Sequence, residues 1–140
     1  MFTIREASSQ DTPLLSQIFQ TCSQQADWLP EAAKERADFA NDTQGESIWV
    51  AVDDNEQLLG FISVWMPDSF IHHLYIVPRA QCQGIGSALL ASLTGRVPRP
   101  WRLKCVQANT RALDFYQTQG WQKIEAGHSP TGDYWLLELA

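Results

Sequence analysis

A chain of 140 residues that is 44% hydrophobic and 11% aromatic carries one domain's worth of core, so a single domain over residues 1–140 is expected. No run nears the roughly 18 apolar residues of a membrane span, and the opening MFTIREASSQD carries charge where a signal peptide is apolar; a cytoplasmic protein without a membrane partner is expected. The net charge of -6 speaks against a nucleic-acid partner, since such binding rests on a basic face.

The charge is unevenly divided. Residues 1–70 hold twelve Asp/Glu against Arg5, Lys34 and Arg36, whereas residues 71–140 hold four acids against seven Arg/Lys. A polyanionic ligand suits the second half. Cys22, Cys82 and Cys105 are odd in number and widely spaced, which predicts free thiols, buried or partly buried, without a disulfide framework or zinc site.

Residues 2–5 alternate as a short strand. Asp11-Thr12-Pro13 supplies a cap and a first-turn proline for a helix whose apolar positions are Leu14, Leu15, Ile18, Phe19 and Cys22. Pro30-Glu31 opens a second helix, EAAKERADFA, ending near Asn41. Residues 48–52 and 58–65 flank the turn DDNE as a hairpin, and a further strand covers 70–77. A glycine loop leads into a helix to about Leu93. A fifth strand follows at 101–107, then a helix capped at Asn109 or Thr110 and stopped by Gly120, then two strands at 121–126 and 134–139. The order is β-α-α-β-β-β-α-β-α-β-β, an α/β fold with a mixed seven-stranded sheet and helices on both faces.

The segment VPRAQCQGIGSALL (77–90) runs from a strand end through closely spaced glycines into a helix start. Glycines let the backbone approach a ligand, and the free N–H groups of the helix's first turn favour a phosphate there. A P-loop would need Gly-Lys-Ser/Thr, but Ser87 and Ala88 follow Gly86; a Rossmann loop would need a third Gly or Ala where Leu89 stands.

What remains, Gln81-x-x-Gly84-x-Gly86, resembles the diphosphate loop of the GNAT family of N-acetyltransferases. The segment ANTRALDFYQTQGW (108–121) resembles that family's second signature, and the element order agrees with the family's over nearly the whole chain. The resemblance implies acetyl-CoA as cosubstrate, held by Gln81, Cys82, Gln83, Gly84, Ile85, Gly86 and Ser87. The backbone of Leu74, Tyr75 and Ile76 would hold the pantetheine arm, together with Asn109. Tyr116 stands where the family places a tyrosine near the coenzyme sulfur, a general acid for the departing thiolate; packing beside Leu113 and Phe115 is the alternative.

The base is harder to place. Some family members keep a glutamate where this chain has Lys104, so His72 and His73 are the candidates, an imidazole suiting proton transfer near neutrality. Successive strand residues face opposite sides, so one of the two is expected to look into the acceptor cleft. That same geometry, with no ligand spacing around His128, predicts no metal. Trp28, between the first two helices, and Trp65, at a strand end, are candidates for the acceptor entrance. The resemblance thus implies acetyl transfer to a primary amine by direct attack in a ternary complex, the protein acting as monomer or homodimer. The alternative is a non-catalytic acyl-CoA-binding regulatory module of the same fold.

Overall fold

The runs IWVAV and LLGFISVW are too continuously apolar to leave one face in water. In the computed structural model, which describes residues 1–25, 39–130 and 132–140, they are the second and third strands of a central sheet and are buried nearly throughout. The strands are β1 (Phe2–Glu6), β2 (Ser47–Asp53), β3 (Leu58–Trp65), β4 (Phe70–Ile76), β5 (Trp101–Val106), β6 (Gln122–Ser129) and β7 (Gly132–Leu139), in the spatial order β1-β2-β3-β4-β5-β7-β6. Every neighbouring pair is antiparallel except β4 and β5.

The helices are α1 (Thr12–Gln25), α2 (Phe39–Asp42), α3 (Ile85–Ser92) and α4 (Thr110–Thr118). Alternation along β2 divides the core in two. Val50 and Val52 join Leu15, Ile18, Phe19 and Phe39 of α1 and α2, while Trp49 and Ala51 join Ile85, Leu89 and Tyr116 of α3 and α4. Helices therefore cover both faces, and among the described residues none is long and apolar enough to cross a membrane. Most of the second expected helix lies outside the described residues; of the residues it was expected to cover, those from Phe39 on fall in α2.

Two local expectations need correction. Asp11 does not cap α1 forward. It ends a 3₁₀ turn (Ser9–Asp11), and its carboxylate turns back to accept from the backbone N–H of Ser8 (2.8 Å) and from the Arg5 guanidinium (2.8 and 3.0 Å). Hydrogen bonding from Arg5 holds its pKa down to about 2. The last hairpin is also longer than expected, its ladder running from Gln122↔Glu138 to Ser129↔Gly132, because cross-strand pairing carries weak strand formers along with strong ones.

The consequential feature is how β4 leaves β5. Their ladder holds only Phe70↔Arg102 and Ile71↔Leu103, after which the strands part. On its other edge β4 carries a bulge: Ser63 faces His73 and Val64 faces Ile71, leaving His72 as the extra residue. The bulge and the parting fall at the same place.

Candidate active site

Where β4 and β5 diverge, the sheet opens into a cleft of about 870 Å³ lined by β4, the glycine loop, α4 and Cys22 of α1. The backbone N–H of Val77 donates to Leu59 of β3 (2.9 Å), so the alternation of an antiparallel ladder turns Tyr75 toward β3 and Leu74 and Ile76 toward the gap. The Ile76 carbonyl is taken by the Gln81 amide (3.1 Å) and the Cys22 thiol (3.6 Å). Of the three residues expected to present backbone groups, Leu74 turns its N–H and C=O toward the gap and Ile76 its N–H, whereas the backbone of Tyr75 is directed toward β3.

The loop reaches α3 through two left-handed residues, Cys82 (φ 64) and Gly84 (φ 82), the latter being the helix N-cap with no side-chain cap bond. The first-turn N–H groups of α3 are thereby left for a ligand, at the positive end of the helix dipole. A Cβ on Gly84 would meet nothing within 4 Å, so its conformation rather than space requires glycine there. Gly86 differs: its Cβ would lie 3.4 Å from the Phe115 ring of α4. Gln81, Cys82, Gly84, Ile85, Gly86 and Ser87 all line the cleft. The Gln83 amide instead turns back to the Arg79 carbonyl (3.3 Å). Cys82 is exposed, contrary to the expectation of buried thiols, because the left-handed turn carries it outward.

Across the cleft, Asn109 caps α4, its Oδ1 accepting from the Ala112 N–H (3.3 Å), which leaves its amide N–H₂ free to donate. Tyr116, 9% exposed, lines the inner wall. Burial, then the nearby Cys105 and Tyr75, push its phenol far above the ordinary range, so it stays protonated and able to donate. Arg111 is the only charged side chain on this lining among the described residues. Its exposed guanidinium donates across to the Cys82 sulfur (3.1 Å).

The histidines lie on β4 just before the cleft lining begins, and the bulge overturns the expectation that they face opposite sides. Their rings lie 3.9 Å apart at 31°. His73 is buried against Phe19, Phe61 and Tyr75, its Nδ1 paired with the Ser63 hydroxyl (2.8 Å), and burial followed by repulsion from His72 lowers its pKa to about 3. His72 is exposed, and its Nδ1 pairs with Glu46 (2.8 Å), whose side chain is only 7% exposed. The ligand atoms of Glu46, His72 and His73 lie within 4.8 Å of one another. Trp65, half-exposed, stands over Gly45, where a Cβ would come 3.1 Å from its ring. Trp28 lies outside the described residues. Lys104 is exposed on β5 over the Tyr134 ring (4.9 Å) and does not line the cleft.

The family model for GNAT acetyltransferases matches residues 12–121. The chain belongs to the GNAT family. Over 77 residues it is 36% identical to the peptidyl-lysine N-acetyltransferase YiaC of Escherichia coli, a match covering 55% of this chain and about half, 51%, of that protein. The apo-form solution structure of YjaB from the same organism superposes with a TM-score of 0.79 at 18% identity, over 99% of this chain and 97% of that one. A GNAT phosphinothricin acetyltransferase from Sinorhizobium meliloti, in complex with AcCoA, gives 0.70 at 20% identity, over 99% and 87%. At such identities the likeness is one of fold.

Two residues, one on the cleft lining and one paired with His72, escaped the sequence reading. Arg111 sits inside the second signature but reads as one charge on a helix face, and Glu46 is 26 residues from His72 with nothing local to link them.

Proposed function

We propose that this protein transfers an acetyl group from acetyl-CoA to a primary amine by direct attack in a ternary complex. The observation that carries the reading is the cleft itself, with an anion cradle at the start of α3 and a buried, protonated phenol on its inner wall. The diphosphate would lie on the N–H groups of Ile85, Gly86 and Ser87, with Arg111 adding a charge. The pantetheine arm would follow Leu74, Ile76 and Asn109. An amide of β4 on the acetyl oxygen would stabilise the oxyanion of the tetrahedral intermediate. As the C–S bond breaks, Tyr116 donates its proton to the departing thiolate.

An acyl-enzyme on Cys22, the part-buried thiol of the inner cleft, is disfavoured by that thiol itself. Burial pushes Cys22, which lines the cleft, up to about 11, leaving a protonated and weak nucleophile. For the acceptor, the relationship to a peptidyl-lysine acetyltransferase supports a lysine side chain of a peptide or protein, and the acidic first half of the chain suits any cationic amine. A non-catalytic acyl-CoA sensor is the second reading, favoured by Lys104 where a glutamate base would stand. Incubation with acetyl-CoA and a panel of lysine peptides, polyamines and amino acids, reading free thiol, separates the two. Acceptor-dependent thiol release is expected; binding of acetyl-CoA without release from any acceptor would favour the sensor.

A further inference from the structure

We infer that His72, held by Glu46, takes the proton from the acceptor amine, and that Glu46 is the positioning residue that makes it able to do so. This rests on the acetyl-transfer reading. An ionised carboxylate can only accept a hydrogen bond, so a Glu46 carboxylate draws the shared proton to Nδ1 of His72 and, in the neutral ring, leaves the Nε2 lone pair free for the amine. The side chain of His72 is 39% exposed, so that lone pair can meet an incoming substrate.

Its place in the fold fits the task. His72 is the bulged residue at the first position after the β4–β5 ladder ends, two residues before Leu74, or about 7 Å along the strand. Without the bulge one of the two histidines would point through the sheet; with it both rings lie together on the α1 side. There His73, packed against Phe19, backs the His72 ring. Being buried and neutral, His73 supports its neighbour without competing for the proton. Glu46 is costly to keep: its Oε1 is buried with no hydrogen-bond partner among the described residues. A buried carboxylate spent on one bond to an exposed imidazole is better explained by proton transfer than by packing. Trp65, over the glycine that precedes Glu46, offers an exposed flat wall for the apolar stem of an alkylamine.

The step balances. His72 Nε2 takes one proton from R–NH₃⁺; the freed nitrogen pair attacks the thioester carbonyl, forming C–N and breaking C–S. The second nitrogen proton replaces the one Tyr116 gives to the thiolate, and His72 returns its proton to solvent.

The test compares acceptors that do and do not need deprotonation. With an alkylamine, His72→Gln and Glu46→Gln should each lower kcat/KM about 10²-fold, the usual range for general base catalysis. With hydroxylamine, uncharged at neutral pH, the same variants should stay within about threefold of wild type. Acetyl-CoA affinity should be unchanged in both. Imidazole ¹⁵N shifts should report the Nδ1–H tautomer of His72 in the wild type and its loss in Glu46→Gln. Equal losses with both acceptors, an unaffected alkylamine rate, or a wild-type His72 protonated on Nε2 overturns the inference alone. A wild type that acetylates neither acceptor overturns the transfer reading and this inference with it. Since His72 is exposed, His72→Gln keeps the test open should Glu46→Gln not fold.

Discussion

At the scale of single residues, the cleft separates groups that bind from groups that react, and each makes its own prediction. Tyr116→Phe removes only a hydroxyl from a buried ring, so kcat should fall about 10²-fold while acetyl-CoA affinity holds; steady-state kinetics beside calorimetry check both halves. Arg111 is the complement, lining the cleft from α4 with no carboxylate on that lining among the described residues. Arg111→Ala should weaken acetyl-CoA binding about tenfold, the scale of one charge-assisted contact to phosphate, and leave acetyl-pantetheine, which lacks the diphosphate, unaffected. Equal weakening of both ligands would move Arg111 out of the phosphate site. His73 makes a prediction about stability. Its folded-state pKa of about 3 lies below the ordinary 6.5, so between those values the unfolded chain binds more protons than the folded one. The stability this contributes is complete above pH 6.5 and is lost as pH falls toward 3, by up to about 1.4 kcal/mol per pH unit. Urea unfolding from pH 7 to 4 should show a shallower decline for His73→Gln, which can still pair with Ser63 but cannot titrate.

At the scale of elements, the glycine loop shows two glycines doing different things. Gly84 supplies a left-handed N-cap, whereas Gly86 supplies closeness between α3 and α4, its missing Cβ facing Phe115 rather than the diphosphate. Gly86→Ala should therefore be tolerated, with a melting temperature within a few degrees of wild type. Gly86→Val should lose about 1–3 kcal/mol by overpacking and weaken acetyl-CoA binding through displacement of α4. Wild-type thermal stability for Gly86→Val would show that Phe115 yields freely. Much of this architecture was legible in the sequence: β3 was placed residue for residue, and the loop and α4 announced themselves by glycine spacing and by Asn109 as a cap. What was not legible depends on partners distant in the chain. The β4 bulge is set by register against β3, and a side-chain period of two cannot reveal an inserted residue. Asp11 looked like a forward cap because sequence does not show that Arg5, on the adjacent strand, would claim its carboxylate. Glu46 was hidden for the same reason, since only folding brings the loop after α2 against the bulge.

At the scale of the whole molecule, the charge division along the chain becomes a division in space. The acidic first seventy residues supply β1, β2, β3, α1 and α2, and the basic remainder supplies β4 to β7 with α3 and α4, so the cleft opens within the basic part beside the edge of the acidic part. A polyanionic acetyl-CoA and a cationic acceptor would then each approach the sign that attracts it. Such steering acts over about 10 Å at 0.1 M salt and is screened above that. The kcat/KM for a lysine peptide should fall as ionic strength rises at saturating acetyl-CoA, while that for hydroxylamine, uncharged, should stay flat under the same conditions. Among the acids of the first half, Asp27 and Glu31 lie outside the described residues. Both flank Trp28 at the expected acceptor entrance, which makes them the pair to reverse. Asp27→Lys with Glu31→Lys should raise the KM of the cationic acceptor several-fold, in keeping with lost steering, and leave acetyl-CoA affinity within about twofold. If the peptide and hydroxylamine respond alike to salt, and the double reversal alters neither KM, then the acidic half serves solubility and the acceptor finds the cleft by shape and by His72 alone.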